Sequence, residues 1–122
     1  TLGNPPAVDL MMLGMGPDGH TASLFPGSDP FTDDAALVRA PYVQKFNTYR
    51  ISQTPRALNA ARNVAVAAAG PAKAQAVRDA LEGPYDPVRR PVQVLRHAQG
   101  TLTWLLDRAA VALLAAQAQK LP

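Results

Sequence analysis

Two short apolar runs, each halted by glycine, limit what this chain can become. Val8-Asp9-Leu10-Met11-Met12-Leu13 closes on Gly14, and Asn63-Val-Ala-Val-Ala-Ala-Ala69 closes on Gly70-Pro71. Both fall far short of the ~18–20 apolar residues that cross a membrane. Bounded by turn formers at this length, they read as strands buried in a parallel sheet. Helical spacing lies between and after them. Thr54-Pro55 supplies an N-cap and a first helical proline ahead of a helix over 57–62. Ala72 to Glu82 places Ala74, Val77, Ala80 and Leu81 on one face, and Gly83-Pro84 stops it. Shorter strands are expected at 49–52, 92–95 and 101–106, with Asp107 capping a helix from Arg108 to about Lys120. His20 to Phe25 reads as a helical turn, and 28–41 as a loop or lid. Strand, loop and helix alternate, which is the α/β pattern.

At 122 residues, 48% hydrophobic and 17% charged, the chain is long enough to bury a core and too apolar for intrinsic disorder. It reads as one α/β domain over 1–122, with no internal repeat or linker. The lack of cysteine removes disulfides, thiolate metal sites and Cys nucleophiles together, and fits a reducing compartment. The first residues, Thr1-Leu-Gly-Asn-Pro-Pro6, have neither the basic nor the apolar segment of a signal peptide. Starting on Thr rather than Met, the sequence reads as a fragment. A cytoplasmic chain with no membrane partner is expected.

The charge is unevenly spread. Before Arg39 there are five acidic residues and no Lys or Arg, whereas from Arg39 onward there are 12 basic and 4 acidic residues. The basic residues are scattered singly, with no run longer than Arg89-Arg90 and few aromatics between them. Nucleic acid is therefore not the expected partner, and a small anion fits better.

The densest signal is Gly14-Met15-Gly16-Pro17-Asp18-Gly19-His20. Its G-x-G-x-x-G spacing after a strand suggests a dinucleotide site. Against this, Asp18 puts negative charge where a pyrophosphate would lie, and Pro17 removes a backbone donor. The acidic residues further on, Asp33 and Asp34, lie in a loop, whereas a ribose-binding carboxylate belongs at a strand end. In the other reading Gly14, Gly16 and Gly19 let backbone approach a small substrate, His20 is a general base and Asp18 orients it. The plainer alternative has Asp18 capping the turn and His20 simply opening a helix. Both stay open on the sequence.

No metal site is expected, because the other imidazole, His97, falls at a strand end, and Ser23 and Ser28 lack a nucleophile elbow. Lys73 sits in the first turn of a helix, where a cation is unfavourable unless an anion shares the N-terminus. Arg50 lies in an apolar stretch and is a candidate for pairing with a carboxylate or a ligand. Trp104 and the methionines Met11, Met12 and Met15 are expected in the core or packed on loops.

The segment Asp9-Leu-Met-Met-Leu-Gly-Met-Gly-Pro-Asp-Gly-His-Thr-Ala-Ser-Leu-Phe-Pro-Gly27 resembles the signature of the 6-phosphogluconolactonases, within the wider glucosamine-6-phosphate deaminase-like superfamily. Arg50-Ile-Ser-Gln-Thr-Pro55, Gly70-Pro-Ala-Lys73, Glu82-Gly-Pro-Tyr-Asp-Pro87 and Leu102-Thr-Trp-Leu-Leu-Asp-Arg-Ala109 extend the likeness, in order, over nearly the whole chain. The resemblance implies a Rossmann-like, mostly parallel sheet flanked by helices. It also implies hydrolysis of 6-phosphoglucono-δ-lactone to 6-phosphogluconate in the oxidative pentose phosphate pathway, without metal or organic cofactor. In that family's terms His20 activates water, Asp18 orients it, and Lys73 with help from Arg50 holds the substrate phosphate. Glycine-loop N–H groups would stabilise the oxyanion.

Members of that family are about twice as long, beyond the usual ~100–150-residue domain. The part that matches nothing here would precede Thr1 and carries a Ser-Gly-Gly-Ser-type phosphate loop and an arginine. The chain thus resembles a C-terminal half, with an expected open sheet face prone to association and with weak or no activity alone. Two other functions remain: an amino-sugar-phosphate isomerase or deaminase of the same superfamily, against which Thr-Ala-Ser-Leu-Phe-Pro after His20 argues, and a non-catalytic remnant that binds anions or a partner chain.

Overall fold

The computed structural model describes residues 3–115. In chain order its elements are β1 (Met11–Gly14), β2 (Val38–Arg39), β3 (Tyr42–Val43), β4 (Thr48–Tyr49), β5 (Ser52–Gln53), α1 (Pro55–Asn59), β6 (Asn63–Ala68), α2 (Ala74–Glu82) and β7 (Thr101–Leu106). Three short 3-10 helices (Gln44–Phe46, Pro71–Lys73 and Pro91–His97) complete the described part.

β1, β6 and β7 form a parallel sheet in the order β1-β6-β7, with Met11 opposite Val64 and Val64 opposite Leu102. Alternation along the strands sends Met11, Leu13, Val64, Val66, Leu102 and Trp104 to one face. There they meet Leu58 of α1, Val77 and Ala80 of α2, and Val92, Val94 and Leu95 in a single core. The opposite face carries Met12 and Leu105, 57% and 50% exposed. The expectation that the three methionines lie in the core or pack on loops thus fails at Met12: a parallel sheet is normally covered on both faces, and the described residues cover one.

Several elements differ from expectation. Val92–Leu95 is 3-10 helix rather than strand. β6 already has β1 and β7 as neighbours, Pro91 begins the segment, and the Val92 N–H donates to the Gly19 carbonyl at 3.0 Å. A short apolar run buried on all sides fits either structure, so periodicity alone does not separate them. The expected strand over 49–52 is split between β4 and β5, because the intervening Arg50 N–H turns to the Pro41 carbonyl at 3.0 Å. Thr54 is the N-cap of α1, yet its hydroxyl donates to Ala36 at 2.6 Å instead of capping, and α1 ends at Asn59.

The helix expected over 72–82 opens as 3-10 and becomes α2, whose buried side uses Ala76 where Leu81 was expected; Leu81 is exposed. His20 to Phe25 forms a tight turn bridged between Thr21 and Leu24, with Ala22 at φ 50°, in place of a helical turn. Asp107 does act as a cap, accepting the Ala110 N–H at 2.8 Å. Residues 108–115 are turns, however, and the remainder of that expected helix lies outside the described residues. His97, exposed as expected, ends a 3-10 helix rather than a strand.

Candidate active site

Where β1 ends, the chain folds back on itself. The Gly16 N–H donates to the His20 carbonyl at 3.0 Å, and the Gly19 N–H to the Gly16 carbonyl at 2.9 Å. Thr21, fully buried, donates its hydroxyl to the Gly14 carbonyl at 2.8 Å and fastens the loop to the strand end. From below, Val92 holds Gly19. The glycine loop is therefore fixed at both ends by hydrogen bonds, and its side chains point where those bonds place them.

The loop brings Asp18 and His20 together. Asp18 Oδ1 accepts the His20 backbone N–H at 3.1 Å and lies 2.6 Å from His20 Nδ1. With Nδ1–H donating to the carboxylate, Nε2 carries the free lone pair, the arrangement a general base requires. Gly16 makes room for the ring. A Cβ built there would overlap His20 Cε1 and Nδ1 and lie 2.7 Å from Asp18 Oδ1. The imidazole also stacks on Phe25, with centroids 4.3 Å apart and planes 24° apart.

Electrostatics favour the ionised carboxylate. Burial alone would raise the Asp18 carboxyl, but hydrogen bonds from the His20 ring and backbone, with the charges of His20 and Lys45, outweigh it and hold the carboxyl below its ordinary value. A carboxyl lowered by folding adds stability that is fully present above its unfolded pKa of ~4 and is lost as pH falls through the lowered value. The stability difference between wild type and Asp18→Asn is therefore open at about pH 5 and closes below about pH 4 in urea unfolding. A difference that persisted undiminished to the lowest pH would contradict the ionised pair.

His20, Gly14 and Gly16 line an open cavity of about 600 Å³ together with Ala68 and Lys73. Lys73 reaches it from the Pro71–Lys73 turn after β6, and its ammonium donates to the Met15 carbonyl. The parallel pairing of β1 with β6 explains this meeting, since both strands end on the same side of the sheet, where open α/β sheets bind ligands. Gly19 and Asp18 instead line a smaller cavity of about 200 Å³ with Arg89 and Arg90, so Gly19 serves as a turn and not as a wall of the His20 cavity.

Arg50 is not among the residues lining the His20 cavity. Its guanidinium lies over the Phe46 ring at 4.4 Å, and Phe46 meets Phe25 edge to face at 5.5 Å, which puts Arg50 two rings out from His20. The nearer cation from that hairpin is Lys45, whose Nζ is 3.6 Å from Asp18 Oδ2. Sequence reasoning missed Lys45, as an exposed lysine in a loop carries no local signal. Among the described residues no three His, Asp or Glu side chains cluster to hold a metal ion, and no helix is long and apolar enough to cross a membrane.

The model of the family described as glucosamine-6-phosphate isomerases/6-phosphogluconolactonase matches residues 1–104. A 6-phosphogluconolactonase from Rattus norvegicus is 38% identical over 117 residues, covering 94% of this chain and 44% of the relative. The crystal structure of 6-phosphogluconolactonase from Leishmania guyanensis superposes with a TM-score of 0.75 at 36% identity, over 91% of this chain and 43% of that one. A monomeric glucosamine-6-phosphate deaminase shares the fold at 22% identity and a TM-score of 0.70, covering 86% of this chain and 47% of that one. The chain thus spans less than half the length of each. Its motifs, its parallel sheet and the family match agree: the chain belongs to the glucosamine-6-phosphate isomerase/6-phosphogluconolactonase family.

Proposed function

We propose that this chain carries the acid–base half of a site that hydrolyses 6-phosphoglucono-δ-lactone to 6-phosphogluconate, a step of the oxidative pentose phosphate pathway. The observation that carries the reading is the Asp18–His20 pair, held against Gly16, with His20 lining the same cavity as Lys73. His20 Nε2 takes a proton from water as the water attacks the lactone carbonyl. The tetrahedral oxyanion then collapses, the bond to the ring oxygen breaks, and the imidazolium returns the proton to that oxygen. Asp18 holds the tautomer and offsets the charge that forms on the imidazole.

Lys73 binds the substrate phosphate. Its ammonium has three donors and uses one on Met15, so a phosphate oxygen can share it without displacing that bond. Lys45 and Arg50 add positive potential on the Phe46 side. The rest of the phosphate site comes from the portion of the family fold that this chain does not span, and 1–122 is one part of a longer lactonase domain. A phosphorylated sugar does not cross membranes freely, and that chemistry with the absence of cysteine supports a cytoplasmic setting.

The test is Lys73→Ala in the chain joined to the remaining portion of a 6-phosphogluconolactonase relative. Losing a charge-assisted bond of ~1.5–3 kcal/mol raises KM for the lactone by about 10- to 100-fold. With that bond equal in ground and transition states, kcat stays within a few-fold. An unchanged KM would remove Lys73 from the phosphate site. The deaminase-fold likeness keeps one second reading alive, ring opening of an amino-sugar phosphate by the same His20, and release of ammonia from glucosamine 6-phosphate would select it.

A further inference from the structure

We propose that Asp107 is a positioning residue for the phosphate-binding end of the site, acting through the backbone of Gly70. This role rests on the reading of Lys73 as the phosphate ligand. Asp107 follows the last residue of β7, beside the end of β6, and touches neither the His20 cavity nor Lys73 itself. Its carboxylate accepts the Gly70 N–H, with both oxygens at 3.1 Å, and Oδ1 also accepts the Ala110 N–H at 2.8 Å. The bond to Ala110 alone is enough to cap the turn that follows. The bonds to Gly70 are additional, and they join the ends of two neighbouring strands.

What they hold is the turn that presents Lys73. Gly70 lies at φ 93° and ψ 162°, a conformation open in practice only to glycine. Its N–H is fixed by Asp107, and its carbonyl accepts the Lys73 N–H at 3.2 Å. Between them Pro71 has no N–H to contribute. The chain of restraint runs from carboxylate to Gly70 to the Lys73 backbone, and the Lys73 ammonium then reaches the Met15 carbonyl across the cavity mouth. Backbone N–H donation, first from Ala110 and then from Gly70, also keeps the carboxyl below its usual range, so it stays an acceptor at neutral pH. Without Asp107 the most permissive residue of the turn loses the restraint on its N–H, and Lys73 loses its fixed approach.

The experiment titrates the 122-residue chain with 6-phosphogluconate and follows backbone amides by NMR, for wild type, Lys73→Ala, Asp107→Ala and Asp107→Asn. Asp107→Ala is expected to weaken binding about fivefold to tenfold, less than Lys73→Ala because the Lys73 ammonium remains and loses only its fixed approach, and to speed amide hydrogen exchange at Gly70. Asp107→Asn keeps an oxygen for Gly70 and recovers most of both effects, a rescue that general destabilisation would not show. Should Asp107→Ala fail to fold, Asp107→Ser, which keeps a cap for Ala110 on a side chain too short to hold Gly70 as well, takes its place: faster Gly70 exchange with weakened binding supports the role, and faster Gly70 exchange with wild-type binding overturns it. If Lys73→Ala weakens binding while Asp107→Ala binds like wild type, the positioning role is overturned and the Lys73 reading survives. If wild type and Lys73→Ala behave alike, the phosphate reading fails and the positioning role falls with it, whatever Gly70 exchange shows.

Discussion

Gly16→Ala is expected to cost about 100-fold or more in kcat/KM for the lactone while the chain still folds. The added methyl would occupy the space of His20 Cε1 and Nδ1 and crowd Asp18 Oδ1. Movement of the ring is also limited by Phe25, stacked 4.3 Å away. The ring must therefore rotate or the loop must open, and either breaks the 2.6 Å pairing of Nδ1 with Oδ1. A displacement near ~1 Å is enough to lose about two orders of magnitude. Overpacking also costs ~1–3 kcal/mol of stability, which urea unfolding reads separately from rate. Gly14→Ala is the control: a Cβ there finds nothing within 4 Å, so the imidazole NMR signals of the Asp18–His20 pair stay in place. Wild-type kcat/KM in Gly16→Ala would mean the ring position does not matter.

His20→Ala is expected to remove the ~10²–10⁴-fold contributed by a positioned general base. The loss appears in kcat and kcat/KM alike, because proton transfer is felt in the transition state and not in substrate binding. Folding should be nearly unaffected, since the ring is partly exposed and the loop is held by Thr21 and Val92 through backbone carbonyls. A His20→Ala protein that retained its rate would leave the Asp18–His20 pair as a turn-stabilising contact only, which is the plainer reading the sequence also allowed.

Much of this arrangement was legible in the residues. The β1 and β6 runs announced themselves by apolar composition and a closing glycine, and parallel pairing of their ends then brings Lys73 to the glycine loop. Asp18 and His20 stand two residues apart, so a tight turn must bring them close. The features that escaped the sequence depend on long-range contacts. Val92–Leu95 is buried throughout, polar Gln93 included, and its exclusion from the sheet depends on the filled positions beside β6 and on the Val92 N–H bond to the Gly19 carbonyl. Along the chain Arg50 stands out in an apolar stretch and Lys45 does not; the Gln44–Phe46 turn nevertheless places Lys45 beside Asp18 and leaves Arg50 on Phe46. Asp107 signals a cap locally, while its hold on Gly70 exists only because β7 lies beside β6. Likewise, Met12 reads as core in an apolar run, and its exposure follows from a sheet face that none of the described residues covers.

Whether His20 drives lactone hydrolysis is read from the rate on freshly generated 6-phosphoglucono-δ-lactone, above a protein-free control because the lactone also opens spontaneously. The rate is measured on the 122-residue chain and on the chain joined to the remaining portion of the rat relative. The joined protein is expected to accelerate opening, and His20→Ala in the same protein is expected to return it to the control rate. No acceleration from either protein, or acceleration that survives His20→Ala, would contradict that role for His20.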